Sequence, residues 1–99
     1  MTINKTKDGE ILILTLEGRL DTTTAGQLQE TLIPEFDSYK TIRLDFKGME
    51  YVSSAGLRVV LQAEKTAKAK GGSMILCNVS ADIMDVFEMT GFSDLLTIE

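Results

Sequence analysis

Two adjacent serines, Ser53 and Ser54, are the strongest candidates for chemistry in this sequence. They stand between an apolar segment typical of a strand and an amphipathic segment typical of a helix, with Gly56 close behind. One interpretation is structural, because a serine at the start of a helix accepts a hydrogen bond from a free backbone N–H group. The other is functional: a hydroxyl at this place carries or contacts a phosphate, which a helix N-terminus stabilises. Physical reasoning alone favours the cap and leaves the phosphate site open.

Two carboxylates, Asp21 and Asp45, are the next candidates. Asp21 follows one strand-like segment and precedes a run of threonines, so helix capping is its simpler interpretation. Asp45 lies inside a strand-like segment between Leu44 and Phe46, where its charge must be paired, solvated or functional. If the strands that carry them end on the same side of a sheet, Asp21, Asp45 and Ser54 converge on one edge. Open α/β folds tend to place their sites at that edge.

The composition excludes several kinds of site. The 99 residues include no His and one Cys, so we expect no metal site and no Ser-His or Cys-His catalytic pair. No phosphate-binding loop ending in Gly-Lys-Ser/Thr and no Gly-x-Gly-x-x-Gly pattern is present. The formal charge of −5 disfavours nucleic acid and anionic membranes as main partners. We therefore expect no catalytic residues and no cofactor of the chain's own.

The sequence also bears on where the chain resides. The segment Met1–Lys7 has no apolar core, so we expect no signal peptide. No apolar run approaches the roughly 20 residues that span a bilayer. Cys77 lies in an apolar run, where we expect a small buried thiol, and a lone cysteine favours a reducing compartment. These observations predict one cytoplasmic domain over residues 1–99.

The hydrophobic periodicity predicts an α/β fold with the element order β-β-α-β-α-β-α-β. Asp8-Gly9 signals a two-residue hairpin after a polar edge strand, Thr2–Lys7. The next strand, Ile11–Leu16, is so apolar that we expect it to be buried on both faces, and Gly18 is expected to end it. Helical crossovers make the later strands parallel, which predicts a mixed, mostly parallel sheet with an N-terminal antiparallel hairpin.

The remaining elements follow from apolar spacing and from residues that start or stop a helix. Asp21 or Thr22 is expected to cap the first helix, and Pro34 to end or kink it. Gly71 is expected to follow the second helix, and Gly91 to close the third. The other expected elements are a strand over Thr41–Phe46 with a loop at Gly48, a helix from the serine pair to Lys70, a strand over Ser73–Asn78, a helix capped by Ser80 and a short strand over Leu95–Ile98.

One segment resembles the signature of a known family. The stretch Ile42–Leu57, which reads IRLDFKGMEYVSSAGL, is similar to the signature of STAS domains of the bacterial anti-sigma factor antagonists. The earlier segment Gly18–Asp21 resembles the Gly-x-Leu-Asp element of the same family, and Gly71-Gly72 fits its C-terminal pattern. The resemblance covers essentially the whole chain. It implies a single STAS-like domain over residues 1–99, with helices packed mainly on one side of a mixed sheet.

The resemblance implies a switch rather than an enzyme. Such antagonists bind an anti-sigma factor that is also a serine kinase, and this frees the sigma factor. The kinase uses ATP and Mg²⁺ to phosphorylate a serine, which ends the binding, and a serine phosphatase restores it. The matching acceptor here is Ser54. Many members carry an Asp just before the acceptor, where this chain has Ser53, so Ser53 is the second candidate acceptor.

The resemblance also implies a partner-binding surface around the acceptor, with Asp45 as a supporting carboxylate. Gly56 would let another chain approach the backbone closely. We expect the free chain to be monomeric. Two alternatives stay open: a nucleotide-binding STAS domain, and a constitutive scaffold subunit whose serine pair is only a cap. The expected partner-binding residues are Asp21, Thr22, Thr23, Ser53, Ser54, Gly56 and Leu57.

Overall fold

The chain reverses direction at Gly9 and Glu10, which join strand β1 (Thr2–Asp8) to strand β2 (Ile11–Leu20). Gly9 has a φ of +63°, a left-handed conformation that glycine adopts without steric cost. The predicted hairpin is confirmed. Its turn lies one residue later than the Asp8-Gly9 pair indicated, because Asp8 still pairs with the first residue of β2.

The computed structural model describes every residue from Met1 to Glu99. Five strands form one sheet in the order β1-β2-β3-β4-β5; β1 and β2 pair antiparallel, and all other neighbours pair parallel. The predicted mixed α/β sheet with its N-terminal hairpin is therefore confirmed. The remaining elements are α1 (Ala25–Leu32), β3 (Thr41–Val52), α2 (Ser54–Ala69), β4 (Ser73–Cys77), α3 (Ala81–Met89) and β5 (Thr97–Ile98), with short 3₁₀ helices at Ile33–Asp37 and Phe92–Asp94.

The helices cover one face of the sheet, and the other face is partly open to water. Along β2, Leu12, Leu14 and Leu16 are buried, whereas the intervening Ile11 and Ile13 are only half-buried. The three leucines share one core cluster with apolar residues of all three helices. The expectation that β2 is buried on both faces is wrong, because no element packs against its second face.

The half-exposed second face also explains Cys77. We expected a buried thiol, but Cys77 is half-exposed at the end of β4. It pairs in register with Asp45, and both alternate with the buried residues that face the helices. An apolar sequence context therefore does not guarantee burial where a sheet is covered on one face only.

Strands β2 and β3 are longer than predicted, and their extra residues lead to the site. Gly18 does not end β2; it has a φ of +105° next to a register shift, and the strand continues to Leu20. Likewise β3 continues through Gly48 to Val52. A methyl group on Gly48 would lie 2.7 Å from Cγ of Glu17 on the neighbouring strand, so the close pairing there requires glycine. These glycines do not end their strands; they allow irregular pairing through which each strand continues.

The predicted helix boundaries are largely confirmed. Helix α1 gives way to a 3₁₀ helix that contains Pro34, as expected of a residue without a backbone donor. Gly71 follows α2 with a φ of +73°, and Gly91 follows α3 with a φ of +78°. The Ser80 side chain caps α3 by accepting a hydrogen bond from the N–H of Ile83 at 3.3 Å. None of the helices combines the length and the apolar character needed to span a membrane.

Candidate functional site

The carboxyl ends of β2 and β3 meet at one edge of the sheet. Leu20 and Val52 pair in register as the last residues of their strands. One residue further on, the N–H of Ser53 donates a 2.8 Å hydrogen bond to the carbonyl oxygen of Leu20. This bond places Asp21, the residue after Leu20, at the same edge as the serine pair, so the predicted convergence is confirmed for Asp21 and the serines.

The two serines occupy different environments. Ser53 has extended backbone angles, φ −90° and ψ 173°, and its side-chain oxygen accepts a hydrogen bond from the N–H of Gly56 at 3.2 Å. Ser54 is the first residue of α2, is exposed, and makes no side-chain hydrogen bond. The capping role predicted for one of the serines therefore belongs to Ser53, and the Ser54 hydroxyl is free.

Gly56 and Leu57 lie beneath the surface rather than on it. A methyl group at position 56 would lie 2.5 Å from Cγ of Leu20 and 3.0 Å from its carbonyl oxygen. Glycine is therefore needed to seat the first turn of α2 against β2 of the same chain, and not for the approach of another chain. Leu57 is 5% exposed and belongs to the core. In the free chain both residues position the serines and do not present side chains to a partner.

Asp21 organises the turn that leads into α1. Its carboxylate accepts hydrogen bonds from the hydroxyl of Thr23 at 2.6 Å and from the N–H of Thr23 at 2.9 Å. These bonds, with the N–H of Thr24 and the nearby Arg19, hold the pKa of Asp21 below its usual range. Asp21 is thus an ionised group near neutral pH, beside two exposed threonines, Thr22 and Thr23.

The predicted N-cap of α1 is wrong. The helix begins at Ala25, so Thr24 rather than Asp21 or Thr22 stands at the N-cap position, and its side chain makes no capping bond. The Thr24 hydroxyl instead donates to the carbonyl oxygen of Arg19 at 2.8 Å. Asp21 closes the preceding turn, because its carbonyl oxygen accepts from the N–H groups of Thr24 and Ala25.

Asp45 does not join the site, which corrects the expected convergence. It pairs in register with Thr15 and Cys77, seven residues before the end of β3, or about 20 Å along the strand. Its carboxylate accepts hydrogen bonds from the N–H of Lys47 and from the side-chain amide of Asn78, each at 2.9 Å. The strand was expected to end near Phe46, which would have put Asp45 at the edge.

Three further residues near the serines were not predicted. Arg19 and Tyr51 are opposite each other on β2 and β3, with the guanidinium carbon 4.4 Å from the centre of the tyrosine ring. Tyr51 is 43% exposed. Arg58, one turn into α2 from Ser54, is exposed and makes no ion pair. The Arg19–Tyr51 contact could have been predicted only with the correct length of β3, whereas the four-residue spacing of Ser54 and Arg58 is visible in the sequence.

Comparison with known proteins identifies the family. The family model for the STAS domain matches residues 2–99. The anti-sigma-B factor antagonist of Bacillus subtilis is 32% identical over 83 residues, which cover 84% of this chain and 76% of the relative. The chain belongs to the STAS domain family, among the anti-sigma factor antagonists. The resemblance predicted from the segment around Ser54 is thereby confirmed.

Solved structures agree on the fold of this STAS domain. The anti-sigma factor antagonist SpoIIAA in its unphosphorylated form superposes with a TM-score of 0.78 at 21% identity, covering 99% of this chain and 87% of the other. The phosphorylated form of SpoIIAA, a Bacillus cell fate determinant, gives a TM-score of 0.77 at 22% identity, covering 99% and 91%. Anti-sigma factor antagonists are non-enzymatic regulators.

The candidate site of this chain is an open surface. None of the four surface clefts is lined by Ser53, Ser54 or Asp21. No group of three or more His, Cys, Asp or Glu side chains is placed to hold a metal ion. Small-molecule sites are usually concave, whereas an exposed hydroxyl beside an ionised carboxylate on an open edge suits contact with another protein.

Proposed function

We propose that this chain is a phosphorylation-controlled antagonist that works in the cytoplasm. The unmodified chain binds an anti-sigma factor that is also a serine kinase, and so releases the sigma factor. Phosphorylation of Ser54 by that kinase ends the binding, and a serine phosphatase restores it. The observation that carries this proposal is the exposed, unbonded hydroxyl of Ser54 at the head of α2.

The contrast between the serines supports Ser54 as the acceptor. A kinase needs a hydroxyl that can reach its active site, and Ser54 offers one without breaking any bond. Ser53 is half-buried and accepts the capping hydrogen bond from Gly56. Phosphorylation of Ser53 would disrupt the capping hydrogen bond from Gly56. The existence of a phosphorylated form of SpoIIAA is a property of that relative, and it is consistent with the proposal.

The electrostatics of the edge supply a reason for release. A phosphate adds about −1.5 to −2 charges. In the free chain, water and the N–H groups at the start of α2 accommodate this charge. In the complex it would be desolvated beside Asp21, whose low pKa keeps it ionised. Repulsion and desolvation of this kind lower affinity by about 10²-fold or more.

The chain itself needs no cofactor for this cycle, because ATP and Mg²⁺ are used by the partner kinase. The partner-binding surface comprises the exposed Thr22, Thr23 and Ser54, together with the half-buried Asp21 and Ser53. No cleft at this edge offers a nucleotide a pocket, so no observation favours the nucleotide-binding alternative.

Phosphorylation in vitro tests the proposal. The chain is incubated with ATP, Mg²⁺ and each purified anti-sigma factor kinase from the same genome, and mass spectrometry locates the phosphate. We expect modification at Ser54, its loss in Ser54→Ala, and its retention in the matched Ser53→Ala variant. A phosphate on Ser53, an unchanged extent of modification in Ser54→Ala, or no modification by any of these kinases would overturn the assignment.

A further inference from the structure

Ser54 and Arg58 are neighbours on the outer face of α2. Residues four apart on a helix have Cβ atoms about 5–6 Å from each other, and both of these side chains are exposed. The buried residues of α2, among them Val60, Ala63 and Ala67, are on the opposite side of the helix. Any group added to the Ser54 hydroxyl therefore lies within reach of the Arg58 guanidinium.

Arg58 has no acceptor within the chain. The sequence contains three arginines, and the other two are engaged: Arg43 donates two hydrogen bonds to Glu99, and Arg19 stacks on Tyr51 near Asp21. Arg58 makes neither an ion pair nor a side-chain hydrogen bond. The first turn of α2 contains no acidic residue that could neutralise it.

We propose that Arg58 binds the phosphate on Ser54 within the same chain. This proposal rests on the proposed function only in taking Ser54 as the acceptor. The planar guanidinium offers parallel N–H donors that match phosphate oxygens, and such charge-assisted pairs are stronger than neutral hydrogen bonds. The contact holds the phosphate against α2. It therefore makes the modified state more persistent, because the phosphate must leave Arg58 before a phosphatase can hydrolyse it.

The first test measures the phosphate directly and needs no partner. Phosphoserine is incorporated at position 54 during translation, and ³¹P NMR follows its second ionisation as a function of pH. Because Arg58 favours the dianion, Arg58→Gln raises the pKa of the phosphoserine by about 0.3 pH unit. Arg58→Lys restores part of the effect, since lysine keeps the charge but lacks the planar fork.

The matched control is Lys65→Gln. Lys65 is an exposed cation on the same helix face, eleven residues from Ser54, and its loss changes the net charge by the same amount. We expect it to leave the pKa of the phosphoserine unchanged. Thermal unfolding confirms that each variant is folded. An unchanged pKa in Arg58→Gln, or an equal rise in Lys65→Gln, would overturn the proposal.

A second readout is the rate at which a broad-specificity protein phosphatase removes the phosphate. We expect Arg58→Gln to lose it about twofold faster and Lys65→Gln to lose it at the original rate. Equal rates in all three proteins would contradict a protective contact. Because the phosphoserine is installed genetically, failure of every kinase to modify Ser54 would refute the proposed function and leave this test intact.

Discussion

At the residue scale, the start of α2 divides two tasks between two neighbouring serines. Ser53 satisfies a backbone N–H group that the helix leaves without an internal partner, while Ser54 keeps its hydroxyl in water. A hydroxyl that caps and is also modified would couple each phosphorylation to a loss of helix stability. Under the proposed function, this separation lets Ser54 gain a phosphate while the Ser53 cap stays in place.

Ser53→Ala is expected to lower the free energy of unfolding by about 1 kcal/mol, because the N–H of Gly56 loses its capping acceptor. Ser54→Ala is the matched control and should change the free energy of unfolding by less than about 0.5 kcal/mol. Urea denaturation of the two variants measures the difference. Equal losses, or a larger loss in Ser54→Ala, would show that the capping role is misassigned.

The sequence predicted that a serine caps α2 but could not say which one. The choice depends on the extended backbone of Ser53, which is held by the hydrogen bond from its N–H group to Leu20 on another strand. A contact between residues so far apart in the chain leaves no local signal. For Arg58, the four-residue spacing from Ser54 is visible in the sequence. Its lack of an ion-pair partner depends on the whole fold and is not visible there.

At the scale of elements, α2 carries one costly group. Glu64 is 6% exposed, its Oε2 has no hydrogen-bond partner, and its Oε1 is 4.0 Å from Nζ of Lys68. Burial raises the pKa of Glu64 above its ordinary value of 4.5, and the charge of Lys68 acts in the opposite direction. The folded chain therefore holds the Glu64 proton more tightly than the unfolded chain does.

The sign of the resulting pH dependence follows from linkage. The stabilising contribution of Glu64 protonation is complete below pH 4.5 and is lost as pH rises through the raised pKa of the folded chain. Glu64→Gln removes this loss, so we expect it to raise the free energy of unfolding at pH 8 by about 1 kcal/mol and to change it less at pH 4.5. Glu30→Gln, at an exposed position of α1, is the control and should show no such difference. A gain that does not depend on pH would contradict this account of Glu64.

The kinds and order of the elements were predictable, and the lengths of two strands were not. The Asp8-Gly9 pair predicted the hairpin, the intervening helices predicted the parallel pairing, and Gly71 and Gly91 predicted the ends of α2 and α3. Gly18 and Gly48 gave the wrong signal, because each permits an irregularity through which its strand continues. Because β3 was predicted to end near Phe46 instead of at Val52, Asp45 was wrongly placed at the edge of the sheet.

At the scale of the whole molecule, the candidate site is an open surface. The helices cover one face of the sheet, and no cleft is lined by the serines at the carboxyl ends of β2 and β3. The net charge of −5 resides in residues 71–99, which contain five acidic and no basic side chains, and salt screens exposed charges beyond about 8–10 Å. Under the proposed function, a phosphate on Ser54 therefore acts mainly on groups that it meets in the complex. The family was predictable because the short segment Ile42–Leu57 resembles its signature.

The most direct test of the central claim is the affinity of the chain for the anti-sigma factor kinase that phosphorylates it. Isothermal titration calorimetry compares the unmodified chain with the chain carrying phosphoserine at position 54, with a nonhydrolysable ATP analogue present to prevent turnover. The account predicts tight binding of the unmodified chain and binding weaker by about 10²-fold or more for the modified chain. Equal affinities of the two forms would contradict it.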